Sequence, residues 1–291
     1  MSTLLDGREF RLLEGLRLNP RKSFAGRVRG ERLTKRSGIS IEFSDYRDYA
    51  AGDDLRHLDW NVLARLGAPI MKTYRDEEDL AVHLLLDGSA SMDFGEPTKF
   101  QVGRRLAAAL GYVALAGGDA VYPRLLGSRL ERRPALRNRS SFLRLSRWLE
   151  ATTPEHSVKL SDSLRLFARS EARAGLAILI SDGMDVAAAP AIRALGGAGH
   201  EVLFLHVLSE AELDPDLEGD LRLIDAEGGP PVEITANSIA MKEYRSRLTA
   251  HNAVLREAVL RVGGRYGLVR TGESLQHIVQ RLLRREGWVR T

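Results

Sequence analysis

Between residues 80 and 208 the apolar positions follow two alternating rhythms. Residues 80–86, 119–126, 176–180 and 201–208 are short, nearly continuous apolar runs, the first broken only by His83. Such runs read as strands buried on both faces. Between them, residues 99–116, 140–150, 160–171 and 187–198 carry apolar residues at helical spacing. Strands alternating with helices predict an α/β fold, a mostly parallel Rossmann-like sheet with helices on both faces and right-handed crossovers. Residues 129–133 read as a hairpin return. After Ser209 the pattern predicts an acidic loop, a strand over 231–235 and a long amphipathic helix over 238–262, stopped by Gly263-Gly264. A strand over 266–270 and a helix over 274–285 follow. The first quarter of the chain differs. Phe10, Leu12, Leu13, Leu16 and Leu18 form a helical stripe over 9–18, ended by Asn19-Pro20. Residues 23–49 are dotted with glycine and alternate briefly, as in 39–43, which predicts short strands in an extended wrap. The expected division is therefore a wrap over 1–78 and an α/β domain with a helical carboxy-terminal part over 79–291.

Composition narrows the chemistry. The 291 residues contain no cysteine, which excludes disulfides, thiolate metal sites and cysteine nucleophiles and fits a reducing compartment. No leader-like or membrane-spanning apolar stretch is visible, so a cytoplasmic, soluble protein is expected. The net charge is +4, with ten Lys/Arg over residues 8–36 and ten Arg over 245–291, whereas residues 210–220 are acidic. Few aromatics interleave with the basic residues, which argues against a stacking platform for single strands, so nucleic acid is not an expected partner.

Two strands end in a matching way. The run over 84–86 leads into Asp87-Gly88-Ser89-Ala90-Ser91, and the run over 178–180 leads into Ser181-Asp182-Gly183-Met184-Asp185. Ligands of open α/β sheets bind outside the carboxyl ends of the strands. If both strands are central and parallel, Asp87 and Asp182 emerge on one edge, with Ser89 and Ser91 beside them. An oxygen-only set of this kind suits a hard divalent cation, Mg²⁺ or Mn²⁺. Taken by itself, Asp-x-Ser-x-Ser reads equally well as a capping turn closing the strand-to-helix loop.

Asp-x-Ser-x-Ser after an apolar strand, followed by a later Ser-Asp-Gly, resembles the von Willebrand factor A domain with its metal-ion-dependent adhesion site. The resemblance implies that Ser89 and Ser91 ligate a metal directly, that Asp87 and Asp182 act largely through water, and that a carboxylate from a protein partner completes the shell. That family also uses a threonine from an intervening loop. Aligned on Leu160 and Leu164, its position falls on Val158, with Ser157 one residue away as the candidate hydroxyl; metal binding and a metal-free scaffold both stay open. A second signature, Glu42-Phe43, Tyr46-Arg47-x-Tyr49, Gly52-Asp53-Asp54-x-Arg56, Asp59-Trp60, Ala64-Arg65 and Lys72, is similar to a bacterial family of von Willebrand A-like proteins of unknown function. Those proteins are typically encoded beside MoxR-type AAA+ ATPases, which implies such an ATPase or its client as partner. Read physically, Tyr46, Tyr49 and Trp60 can pin an extended segment. Asp53, Asp54 and Asp59 can pair with Arg47, Arg56 and Arg65 or cap turns.

Other chemistries lack their residues. Gly-x-Ser-x-Gly, a P-loop and a dinucleotide glycine fingerprint are missing, and His200-Glu201 has no second histidine four residues on. The position of a dehalogenase-type phosphatase's second aspartate holds Ser89. The expectation is a non-enzymatic protein-binding module. A metal-dependent phosphohydrolase using Asp87 and Asp182, and a metal-free structural adaptor, are the alternatives.

Overall fold

A computed structural model describes residues 4–22, 24, 42–50, 52–75, 79–128, 130, 133–155, 158–171, 173–225 and 229–290. They form two compact units, one of residues 1–24 with 80–291 and one of residues 25–79.

The larger unit opens with helix α1 (Gly7–Leu13). Asp6 accepts from the backbone N–H groups of Arg8 and Glu9, while Glu9 returns a hydrogen bond to the Asp6 N–H, a reciprocal cap. The expected helix over 9–18 therefore starts earlier and stops at Leu13. Gly15, with φ +77°, reverses the chain into strand β1 (Arg17–Leu18). The smaller unit contains β2 (Glu42–Asp48), α2 (Trp60–Leu66) and β3 (Ile70–Arg75). Next come β4 (Ala81–Asp87), α3 (Lys99–Ala116), β5 (Ala120–Leu126), α4 (Phe142–Ala151), α5 (Leu160–Ser170), β6 (Leu176–Ser181), α6 (Ala188–Gly197) and β7 (Glu201–Leu208). The chain continues through α7 (Glu210–Leu213), β8 (Gly219–Leu223), β9 (Val232–Ala236), α8 (Ser238–Arg261) and β10 (Arg265–Arg270). Helix α9 (Leu275–Ile278) runs on as a π-helical turn over Val279–Arg285, and β11 (Val289–Arg290) pairs with β1. The hairpin return expected over 129–133 falls largely on residues outside those described.

Five parallel strands form the central sheet in the order β10-β7-β6-β4-β5. Alternation along each strand divides the interior in two. Val82, Leu84 and Leu86 of β4, Ile178 and Ile180 of β6, and Leu203, Leu205 and Val207 of β7 face a core built on α3, α4 and the carboxy-terminal helix. Leu85, Leu179, Val202 and Phe204 face the opposite core, under α5, α6 and α8. This period of two is why the strands read as continuous apolar runs. Residues 1–24 group with the α/β unit because Leu13, Leu16 and Leu18 are buried in the first core and β1 pairs with β11.

His83 and His200 lie fully buried with ring centroids 5.1 Å apart, and Tyr122 stacks on His83. Burial, aided by the neighbouring His200, holds His83 down to about 4, so it is neutral in the fold. Unfolding restores an ordinary histidine that takes up a proton below about pH 6.5. The stability associated with neutral His83 is complete above that pH and is lost as the pH falls from about 6.5 towards 4. The slope is about 1.4 kcal/mol per pH unit for one proton. Stability measured by urea unfolding across this window is expected to fall less steeply in His83→Phe, by one proton's worth of slope.

In the smaller unit, β2 and β3 pair antiparallel from Glu42↔Arg75 to Asp48↔Ile70, with an irregularity between Phe43 and Asp45. The acidic signature residues act locally. Arg47 donates twice to Asp53, at 2.6 and 2.7 Å, and holds its carboxyl down at about 2. Arg56 pairs with Asp54. Asp59 caps α2 through the N–H groups of Asn61 and Val62 instead of pairing with Arg65. Trp60 is 60% exposed and Tyr46 about half exposed, and the Tyr46 hydroxyl donates to Asp59 at 3.4 Å.

Candidate functional site at the carboxyl ends of β4 and β6

The order of the sheet places a switch point at β4. The chain leaves β4 towards β5 on one side, then crosses back to β6 on the other. Connections depart in opposite directions there, the position at which open α/β sheets bind their ligands. Leu86 is level with Ile180, which brings Asp87 beside Ser181 and one step from Asp182.

Asp87 is almost fully buried. Its Oδ1 accepts from the Ser89 N–H at 2.9 Å and its Oδ2 from the Ser181 hydroxyl at 2.5 Å. Burial, then the nearby Asp182 charge, pushes its carboxyl up to about 7 against those hydrogen bonds. Ser89 Oγ and Ser91 Oγ lie 3.0 Å apart. The turn carrying them is pinned on both sides: the Gly88 N–H donates to Leu126 O at 3.0 Å, and the Glu155 N–H donates to Gly88 O at 2.6 Å. Glu155 in turn accepts from the backbone and hydroxyl of Ser128, and these donors lower its carboxyl.

The second loop is held from beneath. Gly183 has φ +61°, and a Cβ there would meet Leu255 at 2.7 Å, so the close turn needs glycine. Burial keeps His206 near 4 and hence neutral. A carbonyl only accepts, so His206 Nε2–H donates to Asp182 O at 2.6 Å and Nδ1 accepts from the Tyr266 hydroxyl at 2.7 Å. His251 Nε2–H donates to Gly183 O at 2.8 Å.

Asp182 has a cationic partner. Lys99 Nζ donates to Asp182 Oδ2 at 2.6 Å and also pairs with Glu212 of α7. Met184 N–H serves the other Asp182 oxygen at 3.1 Å. Lys99 is the first residue of α3, where the helix dipole disfavours a cation. Asp182 and Glu212 reverse that preference. Glu212 also ties down its own surroundings, receiving the Ser209 N–H on its carboxylate and the Tyr244 hydroxyl on its carbonyl.

Thus Asp87, Ser89, Ser91 and Asp182 come together at one rim. Ser157 lies outside the described residues, and Val158, at the threonine position, is buried. Reading the sequence placed Ser181 in the strand-end motif without a role, and missed Lys99 and Glu212. The available signal was Lys99 itself, a cation in the first turn of a helix whose body is apolar. The two hydroxyls hydrogen-bond to each other, and their separation is also compatible with adjacent ligands of an octahedron with bonds of ~2.1 Å, which stand about 3.0 Å apart. Asp87, whose hydrogen-bond donors are both neutral, adds a carboxylate. Asp182 fits less directly, since Lys99 already neutralises it. Among the described residues no group of three or more His, Asp or Glu side chains is arranged to hold a metal, so any ion here would rest chiefly on serine hydroxyls and Asp87.

A family model described as a protein of unknown function, DUF58, matches residues 45–258. Uncharacterised proteins from Mycobacterium tuberculosis and Mycobacterium bovis are 30% identical to this chain over 250 residues, covering 83% of it and 78% of each relative. Among solved structures, the conserved hypothetical protein BatB from Bacteroides thetaiotaomicron superposes with a TM-score of 0.44 at 20% identity, over 69% of this chain and 95% of that one. An aerotolerance-related membrane protein from Bacteroides fragilis does so with a TM-score of 0.44 at 19% identity, over 69% and 96%. No helix among the described residues of this chain is long and apolar enough to cross a membrane.

Proposed function

The chain belongs to the DUF58 family, and from its own geometry we propose that it is a non-enzymatic protein-binding module of von Willebrand A-like type, docking partners at the rim of β4 and β6. The observation that carries this reading is the Ser89–Ser91 hydroxyl pair, 3.0 Å apart, beside Asp87 at the switch point of a parallel sheet. In this reading Ser89, Ser91 and Asp87 hold Mg²⁺ or Mn²⁺, with Asp182 behind them and Ser157 as a further hydroxyl. When bound, the ion supplies an open position for an acidic side chain of the partner. The chain's own residues keep the rim rigid: Ser181 and the Ser89 N–H fix Asp87, and His206 and His251 fix the Asp182–Gly183 backbone. Both Asp87 oxygens are engaged by Ser89 and Ser181, which favours a fixed ligand beneath the hydroxyl pair over a nucleophile. The resemblance of the amino-terminal signature to proteins encoded with MoxR-type AAA+ ATPases makes such an ATPase, or its client, the proposed partner.

Calorimetric titration of Mg²⁺ and Mn²⁺ into the protein is expected to show saturable binding, weakened about 10–100-fold in Ser89→Ala. Affinity capture from the native host is expected to retain the ATPase on wild type and lose it on Asp87→Ala. Equal retention by a folded Asp87→Ala protein would remove the rim as the docking point. Two observations favour a second reading, a metal-free adaptor: Lys99 already occupies Asp182, and Val158 stands where a ligand hydroxyl is expected. That version predicts no heat with either ion while capture persists.

A further inference from the structure

The hairpin β8–β9 has two unlike faces. Its register pairs Leu221 with Ile234 and Leu223 with Val232, and the alternation puts these four side chains on one face. Asp220, Arg222, Glu233 and Thr235 take the other face, where the Thr235 hydroxyl donates to Asp220 at 2.7 Å. Cover over the apolar face runs out towards the tip. Ala236 is buried and Leu221 and Ile234 are half-buried, but Leu223 is 43% exposed, Val232 54% and the adjoining Ile224 81%. A two-stranded ribbon is marginal by itself, and an uncovered apolar strip on it marks a contact surface.

Charge identifies what would cover it. The whole chain is cationic, yet residues 210–220, which lead into the hairpin, carry six carboxylates and no cation. Glu210, Glu212 and Asp214 pair with Arg270, Lys99 and Arg245. Asp216 and Glu218 have no ion pair among the described residues. Glu218 precedes Gly219 at one end of the ladder, and Leu223 and Val232 stand at the other, so the strip complements a partner that is apolar along its length and basic towards the Glu218 end. Two strands ~4.8 Å apart, with their side chains, make a strip about 10 Å wide, the diameter of a helix. We propose that the β8–β9 hairpin is a second docking surface, distinct from the rim of β4 and β6, and that it receives a cationic amphipathic helix of a partner protein.

The probe is a fluorescent leucine–lysine peptide of helical period, titrated into the full chain and followed by anisotropy. Leu223→Ser/Val232→Ser is expected to weaken binding about tenfold or more, as truncation of central apolar contacts does. Asp216→Asn/Glu218→Gln lies outside both strands and leaves their packing untouched. It is expected to weaken binding and to flatten its salt dependence. A peptide of the same composition in scrambled order should bind at least about tenfold more weakly. Equal affinity for wild type and a folded Leu223→Ser/Val232→Ser variant would overturn the proposal. So would equal binding of the scrambled peptide. Dimerisation of the free protein that this variant abolishes would show that a second copy covers the strip. Retention on anionic vesicles lost in the same variant would assign the strip to lipid.

Discussion

Replacing Lys99 with methionine is expected to lower the unfolding free energy by about 3–5 kcal/mol, the usual cost of stranding a buried charge by removing its partner. Lys99 is fully buried, and its ammonium stands between Asp182, also buried, and Glu212, which is mostly shielded. Methionine matches the length and apolar character of the stem, so packing changes little and the loss is electrostatic. Asp182, which already raises Asp87, and Glu212 would then be left without the cation they share. Urea unfolding followed by circular dichroism measures the loss. Adding Asp182→Asn to Lys99→Met is expected to restore part of it, because an amide needs no counter-charge. The non-additivity of the two changes reports the coupling directly. A Lys99→Met protein within about 1 kcal/mol of wild type would show that solvent or an ion already neutralises Asp182 and Glu212. The same variant bears on function. Lys99 joins the rim to α7, so its loss is expected to raise hydrogen exchange in α7 as well as at the rim.

The second large effect belongs to the opposite edge of the sheet. Glu201, at the start of β7, is fully buried. Its Oε1 accepts from Arg265 at 2.7 Å, and its Oε2 accepts the backbone N–H groups of Arg21 and Lys22 at 2.7 and 2.8 Å. Arg265 also donates to Gly287 O and Asn19 O. One ion pair thus gathers the amino-terminal segment, two sheet strands and the carboxy terminus. Burial lowers the Arg265 pKa against the pull of Glu201. Arg265→Met is expected to cost about 3–5 kcal/mol and to loosen residues 19–22, seen as faster amide exchange and earlier proteolytic cleavage there. Glu201→Gln keeps the shape and most acceptor capacity, so its cost should be smaller. If Arg265→Met were as stable as wild type with the amides of 21 and 22 still protected, the clamp would not be what fastens the amino-terminal segment.

The two halves of the candidate site were legible to different degrees. Asp87, Ser89, Ser91 and Asp182 stand out because each follows an apolar run with turn residues, and parallel strands of similar length end at one edge. Lys99 and Glu212 do not stand out in that way. They lie 83 and 113 residues from their partners, and charge pairing at such separation depends on which strands become neighbours. The stretch after Ser209 looked like an acidic loop, yet it holds α7 and β8. Helix α7 is a single turn fixed by the Ser209–Glu212 cap, and β8 alternates over too few residues to register before its partner β9 is known.

By itself the sequence determined the alternating strands and helices between residues 80 and 208 and the grouping of the hydroxyls with the two acidic strand ends. Those follow from local periodicity, capping and turn chemistry, which act over a few residues. Only the tertiary structure decided that residues 4–22 pack with the sheet and that Lys99 is the cation facing Asp182. It also decided that the hairpin leaves an apolar strip uncovered. Each of these depends on contacts between distant segments, whose burial and charge take their values only when the chain is assembled.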